Sequence, residues 1–136
     1  MNKAYVLADV LNRPADAVAV LDRAIKAHPG VALLRSARAV YLARAGRRDA
    51  AHRAAEDALE LSPDPATRYQ VAGAYALTSK THPEDRADAF RQLTAALKAG
   101  YGFQHLDNDP DLAPVRGVPE FESLVAAAKA LRQPPN

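Results

Sequence analysis

Cysteine is absent from the chain. That removes disulfides, thiolate metal sites and cysteine nucleophiles together, and it leaves the redox compartment undetermined. Tryptophan is also missing, aromatic residues make up only 6% and methionine occurs once, so any core has to be assembled from Ala, Leu and Val. Alanine is the best helix former, and an alanine-rich core favours closely packed helices. Nowhere do about 18 apolar residues follow one another, so no segment is read as a helix spanning a bilayer. Asp9, Arg13 and Asp16 interrupt the opening stretch MNKAYVLADVLNRPADAVAV. No small-residue cleavage site follows an apolar run, so no signal peptide is read there. The expectation is a soluble, cytoplasmic protein without a membrane partner.

With 136 residues, 49% of them apolar and 25% charged, the chain has the size and composition of one domain with a continuous core. Its formal charge is +2. The charges are uneven: Arg35, Arg38, Arg44, Arg47, Arg48 and Arg53 fall in one stretch, and acids gather at Asp107, Asp109 and Asp111. A basic stretch is the footprint of phosphate binding. Against that, Asp49, Glu56, Asp57 and Glu60 follow within a helical hairpin that folds them back beside the arginines, and no aromatic ladder interleaves with the cluster to stack bases. Nucleic-acid binding through Arg35–Arg53 is therefore the third reading of function, behind two others.

Internal repetition is the strongest pattern. PADAVAVLDRAIKAHPG from Pro14 aligns with RDAAHRAAEDALELSPD from Arg48, pairing Ala17 with Ala51, Ala24 with Ala58, Ile25 with Leu59 and Pro29 with Pro63, each 34 residues apart. Asn12 and Gly46, the residue types that best tolerate the left-handed conformation after a helix, precede the two segments. A third copy, ADAFRQLTAALKAG, sets Ala89, Leu93 and Ala96 against Ala51, Ala55 and Ala58 at an offset of 38. The extra residues belong in the polar segment SKTHPEDR, Ser79 to Arg86, where a longer loop absorbs them. The apolar spacing and the prolines predict helices at 3–11, 14–27, 31–45, 48–61, 65–79 and 83–99, forming three antiparallel pairs.

A 34-residue helix-turn-helix period, with small residues at two fixed sites of each second helix and a closing proline, resembles the tetratricopeptide repeat (TPR). The residues that carry the resemblance are Ala17, Leu21, Ala24 and Pro29, then Ala51, Ala55, Ala58 and Pro63. It covers roughly residues 1 to 100. The third pair has Tyr101 where the proline would stand, and Arg35 and Arg38 occupy positions that are bulky and apolar in the family. Leu34, Ala37, Tyr41 and Ala45 offer an alternative buried stripe for that helix. The resemblance implies an all-α fold, a short right-handed α-solenoid of about three TPR-like hairpins plus a C-terminal helical cap. The single domain 1–136 would divide into repeat 1 (1–29), repeat 2 (30–63), repeat 3 with its loop insertion (64–100) and the cap (101–136).

The tail has its own punctuation. Asp109 can cap a short helix with Pro110 at its first position, Gly117 can end it, and Pro119 can open another carrying Phe121, Leu124, Val125 and Leu131. A terminal repeat needs such a lid over its outer apolar face. The string from Ala99-Gly100-Tyr101 through Asp109-Pro110-Asp111-Leu112 to Pro119-Glu120-Phe121 also resembles segments closing TPR arrays in large bacterial multidomain proteins, some with serine/threonine kinase domains.

No constellation for chemistry emerges. His28 and His82 precede prolines, His52 is in the basic helix and His105 is in the tail, and none pairs at the helical zinc spacing. Neither a glycine-rich phosphate loop nor a nucleophile elbow occurs. Asp107, Asp109 and Asp111 alternate as calcium loops do, but Pro110 intervenes and the required Gly and Glu are lacking, so helix capping explains them. The chain is expected to be no enzyme, with no catalytic, cofactor or metal residues.

What the TPR resemblance implies instead is a concave groove lined by the first helix of each pair, able to take an extended or helical peptide. Its groove positions fall on Asn2, Val6 and Asp9, then Leu33, Ser36, Val40 and Arg44, then Thr67, Gln70, Ala74 and Leu77. The carboxylate clamp by which some members grip chaperones would need Lys, Asn and Arg where Asn2, Val6, Ala37, Thr67 and Val71 stand, so that partner is not expected. The leading reading is a non-catalytic interaction or scaffold module for an unidentified protein or peptide. The alternative is a structural or regulatory appendage of a larger protein such as a bacterial serine/threonine kinase.

Overall fold

The computed structural model describes residues 13–132. Among these all regular structure is helical. Helix α1 is Pro14–Ala27, α2 Ala32–Arg44, α3 Arg48–Leu61, α4 Pro65–Thr78, α5 Arg86–Lys98, α6 Ala113–Arg116 and α7 Pro119–Arg132. Each of the first four packs against the next, and α2 also packs along α4, so two helices 34 residues apart in the sequence pattern lie side by side. The expected helix at 3–11 lies outside the described residues.

The boundaries follow local chemistry. Pro14 and Pro65 sit in the first turns of α1 and α4, where a missing N–H costs nothing. Asp64 caps α4 by accepting from the Thr67 amide at 2.9 Å, and that bond holds its carboxyl below the usual range. Gly46 ends the α2 turn at φ +78°, a conformation that suits glycine. The segment expected as one helix from 83 to 99 is divided into a 3-10 turn, Pro83–Asp85, and α5.

The core is built from the repeating alanines. Ala17, Ala51 and Ala89 are buried, as are Leu21, Ala55 and Leu93, and Ala58 and Ala96. Ala24, expected in the same set, is only partly buried. Among the described residues α1 packs chiefly on α2, which leaves part of its surface uncovered. In α2, Leu34, Ala37 and Tyr41 of the expected stripe are buried, while Ala45 is half-buried at the helix end. Arg38, expected to pair with Glu56, Asp57 or Glu60, instead bonds Asp22 of α1, Nε to Oδ1 at 2.6 Å. Its side chain reaches back to the preceding helix rather than forward to α3.

The four-residue insertion is anchored by one buried carboxylate. Asp85 accepts two bonds from Arg48, both 2.8 Å, and one from the Thr78 hydroxyl at 2.7 Å. His52 Nε2 lies 3.3 Å from it, its ring 4.6 Å from that of Tyr75. The Arg48 guanidinium holds the Asp85 carboxyl down to about 2 against the opposing effect of burial.

The tail covers the α4/α5 pair on two sides. Helix α7 packs on α5, while the 3-10 turn Pro110–Leu112 and α6 pack on α4. Leu106, Leu112, Val115 and Phe121 are buried in the process. Asp109 caps the turn by accepting from the Asp111 amide at 2.9 Å, as its position before Pro110 suggests.

Candidate functional site

The segment between α5 and α6 crosses the α2/α4 surface and turns it into a recess. Two glycines permit the crossing. Gly102 has φ +105°, and a Cβ there would stand 2.5 Å from the Tyr69 ring. Gly73 on α4 is approached by the Asp111 side chain, whose Cβ would lie 3.3 Å from an added Cβ.

Polar bonds then fix the segment. Arg44 donates to Asp111 Oδ1 from Nη2 at 2.7 Å and from Nε at 2.9 Å, and its guanidinium lies 4.9 Å from the centre of the Tyr41 ring. The Tyr69 hydroxyl donates to Asp109 Oδ2 at 2.9 Å. Burial, reinforced by Asp109, pushes that hydroxyl far above its ordinary pKa, so it remains a donor. Arg116 Nε donates to the Leu106 carbonyl at 3.1 Å and its Nη2 to the carbonyl of Asp109.

Between these walls lies a cavity of about 420 Å³. Tyr41, Tyr69 and Tyr101 give it aromatic faces, and Gln70, Gln104 and Asn108 give it amides. The Tyr69 and Tyr101 rings meet edge to face at 5.8 Å, and His105 stands 6.2 Å from Tyr69. Such a surface can bury a side chain while satisfying polar groups around it. Among the described residues no cluster of His, Asp and Glu could hold a metal ion.

Of the groove residues expected from sequence, the recess gathers Val40, Arg44 and Gln70. Ser36, Thr67 and Ala74 are fully buried in the helix packing, Leu77 is half-buried and Leu33 is exposed. Asn2, Val6 and Asp9 lie outside the described residues. Tyr69, Tyr101, Gln104, Asn108 and Asp109 are additions that sequence reasoning did not place in a site. The density of Tyr, Asn, Gln and Asp between 101 and 111 was a signal in their favour, since a buried cap has no need of it.

The arginine stretch is largely committed to internal partners. Arg38 is held by Asp22, Arg44 by Asp111 and Arg48 by Asp85, while Arg35 donates to the Pro29 carbonyl at 3.2 Å. No protein-family model matches the chain, and neither the curated proteins nor the solved structures contain a match to it.

Proposed function

We propose that this chain is a short TPR-like α-solenoid, capped at its C-terminal end, that holds a segment of another protein without catalysing a reaction. The observation that carries the reading is the recess between α2, α4 and the 101–111 segment, with aromatic rings and amides set around a cavity of about 420 Å³. That volume is on the scale of small-ligand pockets, roughly 300–1,000 Å³. A protruding side chain with its flanking backbone suits it, because tyrosine faces bury apolar stems while Gln70, Gln104 and Asn108 can bond peptide groups. The 34-residue repetition of Ala17 and Ala51 supports the TPR part of the reading.

Photo-crosslinking tests it. A photoreactive residue at the exposed, recess-lining Gln104 is expected to capture a defined peptide segment of a partner, with one at the exposed Lys129 on α7 as control. Capture from position 129 and none from 104 would overturn it. That outcome would instead favour the second reading, an appendage packed against a larger host. It draws support from the open channel between α5 and α7, where Phe90, Ala95, Pro119 and Leu124 form an apolar floor.

A further inference from the structure

We infer that the recess selects an arginine side chain from the partner segment, an inference that rests on the binding reading above and names its chemistry. One guanidinium is already seated there: Arg44 lies over the Tyr41 ring at 4.9 Å and is bonded to Asp111 at 2.7 Å. A planar guanidinium is weakly hydrated and can use a ring face and a carboxylate at once. The opposite wall repeats both elements, with the Tyr69 and Tyr101 rings beside the half-buried Asp109.

Asp109 differs from Asp111 in its partners. Its carboxylate accepts from the Tyr69 hydroxyl and the Asp111 amide, both neutral donors. Arg116 holds the backbone carbonyl of Asp109, not its carboxylate. Among the described residues no Lys, Arg or His forms an ion pair with Asp109. A carboxylate has about four acceptor positions, so room remains for a further donor. The lining thus offers two carboxylates against one guanidinium. A carboxylate on the incoming segment would be repelled, and an apolar side chain would leave the remaining acceptor positions of Asp109 and the amides of Gln104 and Asn108 without a donor or acceptor from the segment. An arginine satisfies the rings and the acceptors together.

The test is an NMR titration of the full chain with acetyl-Gly-Gly-Arg-Gly-Gly-amide and with its Lys, Gln and Glu counterparts. The Arg peptide is expected to shift the Tyr69 and Tyr101 ring signals saturably, with affinity falling as salt rises. Gln104→Glu should tighten it several-fold and Gln104→Lys weaken it several-fold. Gln104 is exposed, so unchanged melting of both variants would show that the fold is intact. Asp109→Asn, which keeps a capping acceptor, should remove the preference for the Arg peptide. The inference is overturned if the Arg peptide does not saturate, if the Lys, Gln or Glu peptide binds equally well, or if the Gln104 variants leave affinity unchanged. Crosslinks from Gln104 to segments lacking arginine would sink this inference while leaving the binding reading in place.

Discussion

Ser36 and Gln70, 34 residues apart, are joined by a hydrogen bond from the Ser36 hydroxyl to Gln70 Oε1. One repeat length separates them, so the bond links equivalent positions on the neighbouring helices α2 and α4. It also ties a fully buried side chain to one that lines the recess. Helix packing and site geometry therefore meet in a single contact, and the amide of Gln70 is oriented from behind by the core.

The tight helix crossings predict that Ala58→Leu overpacks the core. Ala58 is fully buried in the repeat-equivalent position of Ala96. The cost should be about 1–3 kcal/mol. Thermal unfolding measures it, and an unchanged midpoint would contradict the packing.

Gly102→Ala should undock the 101–111 segment from α4. The new methyl meets the Tyr69 ring at 2.5 Å on a backbone that L side chains rarely adopt. A loss of about 1–3 kcal/mol is expected for such overpacking. Gly117→Ala is the control, because a Cβ there meets nothing within 4 Å. Tyrosine ring signals in NMR report the local change, and equal behaviour of the two variants would refute it.

Acid should loosen the α3 to α5 junction through Asp85. Its folded pKa of about 2 lies below the value of about 3.9 for an unperturbed Asp. A depressed folded pKa means the contribution is present above about 4 and is lost as pH falls towards 2. It amounts to roughly 1–3 kcal/mol by linkage. Urea unfolding at neutral pH and near the lower limit should show a larger fall for the native chain than for Asp85→Asn. Parallel falls would remove Asp85 from the account.

Binding to DNA should be weak and abolished by moderate salt. Arg38, Arg44 and Arg48 are each paired with a carboxylate of the same chain, which lowers the charge available to phosphates. Filter binding across a salt series decides the matter. Tight binding that survives moderate salt would restore the nucleic-acid reading.

Ending the chain at Gly100 should cause aggregation or dimerisation. Helix α7 covers α5, where Leu93 and Leu97 are buried and Phe90 partly so. Each such side chain contributes roughly 1.5–3 kcal/mol by burial, against a total domain stability of about 5–15 kcal/mol. Light scattering and melting of residues 1–100 beside the full chain make the comparison. A monomeric truncation of equal stability would show that the tail is no lid.

The sequence by itself determined where α1 to α4 begin and end, to within about a residue, and which alanines repeat. Proline at a first turn, Asp109 as a cap and Gly46 after α2 act within a few residues, so their effect is legible without the fold. The buried Leu34, Ala37 and Tyr41 stripe was legible too, because helical spacing puts those residues on one face. Only the tertiary structure decided which acid Arg38 would choose, since acids stand on both neighbouring helices and the fold brings Asp22 of α1 to 2.6 Å from its Nε. It also decided that Ser36, Thr67 and Ala74 are covered while Tyr69 and Asp109 face a recess. The contacts that build that recess span 40 residues from Tyr69 to Asp109 and 67 from Arg44 to Asp111. No local periodicity encodes such pairs; they follow from where a glycine lets the 101–111 segment cross α4.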